Sequence, residues 1–164
     1  MLAEIGLSLA QVVIAALLAA LAAYAGLYVV NRATRDVDEW AELRRGNPAI
    51  GLVMGAAIVG LALLLRPTLV LPGGQPDVAP VLRPLVSLGL LALHFLLALL
   101  IGLAAMAFTV WLFNRLTRDV DEVAELAKGN MAVAALLAGL LLAVALLIAP
   151  AVEALGRTLI AALS

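Results

Sequence analysis

Two pairs of carboxylates stand four residues apart in this sequence, Asp38 with Glu42 and Asp121 with Glu125. Side chains at that spacing share one face of a helix, so each pair would place two negative charges side by side. Such a pair is mildly unfavourable unless a cation or a basic partner compensates. Because rings of Asp and Glu at a pore mouth concentrate cations, the pattern predicts a cation-contacting site.

Both pairs lie in a charged segment that the chain contains twice. The first copy, "NRATRDVDEWAELRRGN", covers residues 31–47, and the second, "NRLTRDVDEVAELAKGN", covers residues 114–130. Thirteen of the seventeen positions are identical, a closer agreement than in the apolar segments beside them. The two copies hold eight of the eleven carboxylates and seven of the ten Lys and Arg residues. The segment is either a functional surface or a solvated connector in which basic residues balance the acids.

Each copy carries the start and stop signals of a short helix. Asp36 followed by Glu39 is the pattern of a helix N-cap with its N3 partner, and Asp119 with Glu122 repeats it. A Gly-Asn pair then stands where a helix ends in a left-handed residue, which predicts a helix of about ten residues in each copy. The secondary cation-contacting candidates are Asp36, Glu39, Asn47, Asp119, Glu122 and Asn130.

Four uncharged polar residues have two interpretations each. Asn47 and Asn130 open the apolar stretches that follow the charged segments. They either cap those helices or offer ligand carbonyls at a membrane mouth. Gln11 and His94 lie inside apolar stretches. They either form helix–helix hydrogen bonds or mark a pH-sensitive or ion-contacting pair.

The composition excludes an ordinary soluble globular protein. The chain of 164 residues is 66% hydrophobic and 13% charged, whereas soluble domains are about 45–50% apolar and about 25% charged. Four apolar stretches are long enough to cross a membrane. They cover residues 5–30, 48–65, 85–113 and 131–149. With no cysteine and one histidine, neither a disulfide nor a zinc site within one chain is expected, and no cofactor is predicted.

The sequence therefore predicts an all-α membrane protein built as a tandem repeat. At an offset of 83 residues, Gln11 falls on His94 and Pro67 falls on Pro150. Each unit is a helix, an amphipathic charged connector and a second helix, so the units are parallel. The predicted divisions are a first repeat at 1–66, a Pro/Gly-rich linker at 67–84, a second repeat at 85–150 and an interfacial tail at 151–164.

The distribution of Lys and Arg predicts the orientation. Seven lie in the repeated segments and three on the opposite side. The positive-inside rule then places the segments in the cytoplasm and both termini outside. Tyr28, Trp40 and Trp111 fit an aromatic belt at that interface.

Small residues four apart predict close helix contacts, within the chain or in a homo-oligomer. Gly51 and Gly55 form such a pair in the second apolar stretch. The other pairs are Ala22 with Gly26, Ala98 with Gly102, and Ala135 with Gly139.

The stretches "DVDEWAELRRGNPAIG" and "DVDEVAELAKGNMAVA" resemble the small bacterial inner-membrane proteins of the YjfL-like family, whose function is not established. The resemblance covers essentially the whole chain. It implies a short acidic helix that leads through Gly-Asn into a small-residue span, a unit that commonly occurs twice. Pro48 departs from the duplicated pattern, where the second unit has Met131, but Pro is well tolerated in a first helical turn.

No enzyme signature is present in the sequence: there is no Gly-rich phosphate loop, metal-ligand cluster or Ser-His-Asp set. The first functional hypothesis is an oligomeric cation channel or transporter with an acidic cytoplasmic mouth. The alternative is a structural or envelope-stress membrane adaptor that docks a cytoplasmic protein through its charged helices. The expected partners are the lipid bilayer and further copies of the chain, with no nucleic acid.

Overall fold

A computed structural model gives the architecture of residues 2–33, 38–69, 82–117 and 121–162, which are the residues described below. Within them, all regular secondary structure is helical, which confirms the all-α class. Six α-helices follow in chain order: α1 (Leu2–Ala33), α2 (Glu39–Arg44), α3 (Pro48–Leu65), α4 (Arg83–Leu116), α5 (Glu122–Ala127) and α6 (Met131–Ala161). A 3-10 turn, Arg66–Leu69, extends the end of α3. Most of the predicted linker at 67–84 lies outside the described residues.

Helix α3 is the centre of the bundle. It packs most extensively against α6, and also against α1 and α4. In the most apolar 18-residue segment of α3, 56% is buried, compared with 33% in that of α4 and 28% in that of α6. Leu61 and Leu64 of α3 share one core with Phe95 of α4 and Leu141 of α6. The bundle therefore has a filled centre and no axial opening among its described helices.

Three helices are long and apolar enough to cross a membrane. Their apolar parts are Pro48–Leu69, Leu85–Arg115 and Met131–Leu159. The described side chains of α1 add a shorter apolar stretch, Val12–Tyr28. Large apolar side chains also face outward, such as Leu147 at 80% exposed and Leu136 at 60%. Such an outer surface suits lipid rather than water, so the helices indicate a membrane-embedded protein.

Helix α6 continues beyond Pro150. The sequence predicts a separate tail over residues 151–164, but α6 reaches Ala161 with Pro150 in its interior. A proline removes one backbone hydrogen bond, here the bond to the carbonyl of Leu146, four residues earlier. A long apolar helix tolerates that loss because its other backbone groups remain bonded.

The two halves of the bundle pack differently. Helix α3 packs against α1 in the first half, as α6 packs against α4 in the second. Helix α3 also packs against α4, but in the described chain no comparable contact joins α6 to α1. The parallel two-fold repeat therefore remains a prediction from the sequence.

Two of the four small-residue pairs lie at close helix contacts. Ala22 and Gly26 of α1 are buried, as are Ala98 and Gly102 of α4. A Cβ at Gly26 would lie 3.4 Å from Cδ2 of Leu61. A Cβ at Gly102 would lie 2.7 Å from Cδ1 of the same leucine. Leu61 of α3 is thus packed against backbone on both sides, the close approach for which small residues are selected.

The other two pairs make no close helix contact within the described chain. A Cβ at Gly51 would meet only the side chain of Leu43, at 3.6 Å. A Cβ at Gly55 or Gly139 would have no described atom within 4 Å. Of the two alternatives that the sequence left open for Gly51 and Gly55, the described helices therefore show no close contact within the chain. A contact between two copies of the chain stays a prediction.

Candidate functional site

The two charged segments form matching connectors, connector 1 (residues 38–47) and connector 2 (residues 121–130). Asp38 is the N-cap of α2, and its carboxylate accepts a hydrogen bond from the Ala41 amide at 2.9 Å. Asp121 is the N-cap of α5 and accepts from the Ala124 amide at 3.0 Å. Each cap therefore satisfies one of the amides that a helix start leaves without a partner.

These caps correct two details of the sequence-based prediction. The predicted N-caps, Asp36 and Asp119, lie outside the described residues, and the described helices are capped two positions later. Each helix has six residues rather than about ten. In a run with three acids, spacing alone does not decide which one adopts the extended backbone of an N-cap.

The second acid of each pair accepts hydrogen bonds from two side chains of its own connector. Glu42 accepts hydrogen bonds from Arg45 Nη1 at 2.6 Å and from Asn47 Nδ2 at 3.1 Å. Glu125 accepts from Lys128 Nζ at 2.8 Å and from Asn130 Nδ2 at 2.7 Å. A basic partner within the chain thus compensates each like-charge pair, one of the two possibilities that the spacing left open.

A tight turn joins each short helix to the next long one. Gly46 and Gly129 have φ of 78° and 82°, and no other described residue has a positive φ. A residue with a Cβ is strained in this left-handed conformation, so glycine at this position ends the helix and turns the chain. The following Asn caps the long helix: Oδ1 of Asn47 accepts from the Ala49 amide at 3.0 Å, and Oδ1 of Asn130 from Ala132 at 3.1 Å. The capping interpretation of both residues is therefore confirmed.

Asn47 also joins the two connectors, a contact that the sequence did not indicate. Its Nδ2 donates to the carbonyl of Leu126 at 2.9 Å and lies 3.2 Å from that of Ala127. These carbonyls end α5, where a helix leaves its last acceptors without intrahelical partners. In the described chain, the Nδ2 of Asn130 donates only to Glu125. No motif signals such a contact, because its partners lie 79 and 80 residues away in the chain.

The first acids of the two short helices are buried. Glu39 is 2% exposed and Glu122 is 7% exposed. Oε1 of Glu122 has no hydrogen-bond partner in the described structure. Helix α5, which carries Glu122, packs against both α3 and α6. These two secondary candidates are therefore the most deeply buried carboxylates of the connectors, whereas Asp38 and Asp121 are exposed.

Of the two intramembrane polar candidates, His94 forms a helix–helix contact. It is 5% exposed, and its Nε2–H donates to the carbonyl of Val152 on α6 at 3.0 Å. A carbonyl only accepts, so Nε2 is the protonated nitrogen. The helix–helix interpretation is confirmed for His94. The side chain of Gln11 lies outside the described part of the structure.

The connectors are expected to lose stability in acid. Hydrogen bonding from Asn47, aided by Arg45, lowers the pKa of Glu42 below its ordinary value of 4.5. Asn130, and then Lys128, lower the pKa of Glu125 in the same way. A pKa lowered by folding stabilises the protein above the unfolded value and loses that effect as pH falls through the folded value. The thermal midpoint in detergent should therefore fall as pH drops below 4.5.

The control is the Glu42→Gln/Glu125→Gln double variant, which cannot titrate at these positions. Its midpoint should be lower than that of the parent at neutral pH and should depend less on pH in the acidic range. Parallel curves for parent and variant would contradict the assignment of this pH dependence to the two connectors.

Comparison with known proteins gives a family without assigning an activity. Among the described residues, no three of His, Asp and Glu come together as a group that could hold a metal ion. No curated protein and no solved structure matches the chain. One family model matches residues 4–152, which include both connectors and all four long helices in whole or in part. The chain belongs to the family described as Domain of Unknown Function (DUF350).

Proposed function

We propose that this protein is a YjfL-like, multi-pass protein of the bacterial inner membrane that binds and passes a cation at its connector end. The observation that carries the proposal is the burial of Glu122 with an unpartnered carboxylate oxygen. An ionised carboxylate without partners is costly away from water. A small cation at that oxygen would supply the missing partner, which makes Glu122 the proposed contact.

The proposed cation contact is a secondary candidate from the sequence rather than one of the four acids in the paired positions. Asp38 and Asp121 cap helices, and Glu42 and Glu125 hold the turns through charged hydrogen bonds. These four acids add negative potential at the connector end, but their oxygens already accept bonds within the chain. Glu39 occupies the position in connector 1 that Glu122 has in connector 2, and both residues are buried. Of these two buried acids, we propose Glu122 as the cation contact, because its Oε1 has no hydrogen-bond partner in the described structure.

The proposed topology has four spans in a tandem parallel repeat, with the connectors cytoplasmic and both termini outside. The seven-to-three division of Lys and Arg supports it. Three aromatic side chains near the connectors are exposed: Tyr28 at 61%, Trp40 at 52% and Trp111 at 55%. The guanidinium of Arg115 also lies over the Trp111 ring, 5.8 Å from its centroid. Such residues typically lie at the headgroup level.

The proposed cation path requires more than one copy of the chain. Helix α3 fills the centre of the described bundle, so a path would run between protomers. The face of α3 that carries Gly51 and Gly55 is open to such a contact, because no described atom lies within 4 Å of a Cβ at Gly55. We propose this face as part of a homo-oligomer interface.

Ion flux in liposomes tests the proposal. Purified protein is reconstituted, and proton, sodium and potassium flux are each measured for the parent and for Glu122→Gln. The substitution keeps the shape of the side chain and removes its charge, so flux of the transported cation is expected to fall about tenfold or more.

Glu153→Gln is the matched control, because Glu153 is a carboxylate on α6 outside the connectors and is mostly exposed. It should leave flux unchanged. If the parent conducts none of the three cations, or if Glu122→Gln conducts as the parent does, the cation proposal is wrong.

The adaptor alternative is supported by the exposed face of connector 1. Trp40 is 52% exposed, and the side chain of Arg45 is 74% exposed despite its ion pair with Glu42. Exposed aromatic and guanidinium groups are both typical of protein contact surfaces. This second candidate function applies if the flux experiment gives no transport.

A further inference from the structure

A cleft of about 620 Å³ opens between α3, α4 and α6. It lies at the end of the bundle opposite the connectors, because α3 rises about 27 Å from connector 1 to Arg66. Leu63, Leu146 and Pro150 give it apolar walls. Arg66 and Arg157 also line it, as do Glu153 and His94, so the cleft combines apolar walls with two guanidinium groups.

The two arginines differ in how they are engaged. Within the described part of the chain, Arg66 forms no ion pair. Arg157 pairs with Glu153 at 2.8 Å, with both side chains more than half exposed. An ion pair this exposed is weak, because water and salt screen it. Both guanidinium groups can therefore turn toward an anion in the cleft.

The wall of the cleft formed by α4 and α6 is held in place by a close contact. His94 is hydrogen-bonded to the Val152 carbonyl, and its ring lies directly against the backbone of Gly156. A Cβ at Gly156 would overlap the ring, so only glycine allows this approach. This contact holds α4 against α6 at the cleft, one residue before Arg157 in the chain.

We propose that this cleft binds a phosphate-bearing amphiphile, with the phosphate between Arg66 and Arg157 and the apolar chain against Leu63 and Leu146. A guanidinium group offers several N–H donors in a planar fork that matches phosphate oxygens. In a membrane-embedded chain, a cleft at the end of a spanning helix is level with lipid headgroups. The proposal does not depend on the cation function at the connectors.

Ligand-dependent thermal stability of the protein in maltoside detergent tests the proposal. Three ligands separate the sources of binding: phosphatidylglycerol, diacylglycerol with the same chains and no phosphate, and inorganic phosphate. Phosphatidylglycerol should raise the midpoint in a saturable way, and diacylglycerol should not. Stabilisation by inorganic phosphate without stabilisation by phosphatidylglycerol would overturn the amphiphile and indicate a soluble phosphate as the ligand.

Two variants should move the affinity in opposite directions. Arg66→Gln/Arg157→Gln should weaken phosphatidylglycerol binding about tenfold or more, because both charged forks are lost. Glu153→Gln should strengthen binding, since Arg157 loses its competing carboxylate. Arg45→Gln is the matched control: it removes an equally exposed, ion-paired arginine at the other end of the bundle and should leave the affinity unchanged.

A further variant covers the case in which the double glutamine protein fails to fold. Arg66→Lys/Arg157→Lys keeps both charges without the planar fork, so it should bind less tightly than the parent. Equal stabilisation by diacylglycerol, unchanged affinity in both arginine variants, or weaker binding by Glu153→Gln would each overturn the proposed site.

Discussion

Replacing Gly60 with leucine is expected to destabilise the bundle by about 3 kcal/mol, the upper part of the usual range for overpacking. Gly60 is buried where α3 meets α4 and α6. A Cβ there would lie 3.0 Å from Cε of Met106, 3.4 Å from Cβ of Ala145 and 3.6 Å from the Leu141 carbonyl oxygen. The Met106 side chain is flexible and can move away, but the backbone of α6 cannot. Alanine at position 60 should therefore cost much less than leucine.

The matched control is Gly55→Leu, on the same helix. No described atom lies within 4 Å of a Cβ at that position, and leucine has a better helix propensity than glycine by about 1 kcal/mol. Measured in detergent at a protein concentration where the chain is monomeric, the unfolding free energies of the two leucine variants should therefore differ widely. Equal losses at positions 55 and 60 would show that the α3–α6 packing described here does not determine stability.

The Gly55→Leu variant also tests the proposed oligomer interface. Its mass in detergent should fall to that of the monomer if this face of α3 joins two copies, because leucine side chains would prevent close backbone approach.

Replacing Asn47 with alanine is expected to cost about 3 kcal/mol. Loss of the Asn cap accounts for about 1 kcal/mol, and loss of the Nδ2 hydrogen bonds to Glu42 and to the end of α5 adds about 1 kcal/mol for each. Amide hydrogen exchange in the last turn of α5 should also speed up, because its carbonyls would lose the contact with connector 1. The unfolding free energy and the exchange rates together measure both effects.

Asn130→Ala is the internal control, since Asn130 caps α6 and bonds to Glu125 but makes no described contact with connector 1. It should cost about 1–2 kcal/mol, less than Asn47→Ala by roughly the hydrogen bonds to the Leu126 and Ala127 carbonyls. Asn47→Asp keeps a capping oxygen and loses the donors, so it should also destabilise the protein. If the two alanine variants lose the same stability, the contact between connectors contributes nothing.

The sequence identity between the two copies of the charged segment has a structural explanation. Identical residues cap the short helix, turn the chain and cap the long helix in both copies: Asp38 and Asp121, Gly46 and Gly129, Asn47 and Asn130. These roles favour the connector interpretation for most of the segment. Glu122 is the exception, because its buried oxygen has no such role.

The sequence by itself determined the features that depend on neighbours within about one helical turn. These are the all-helical class, the apolar stretches, the short helices between them, and the Gly-Asn turns that open α3 and α6. Capping and helix termination act over three or four residues, so they can be read from spacing. The exact start of α2 and α5 was misplaced because several neighbouring acids fit an N-cap equally well.

Only the tertiary structure decided which faces meet. Lipid chains are as apolar as a protein core, so hydrophobicity does not distinguish a side chain that faces lipid from one that faces another helix. For this reason the sequence treated Gly55 and Gly102 alike, although only Gly102 lies against Leu61. Local sequence likewise did not indicate the burial of Glu122, the contact of Asn47 with α5 or the cleft beside Arg66. Each depends on which distant helix lies opposite, and that is fixed by packing rather than by local pattern.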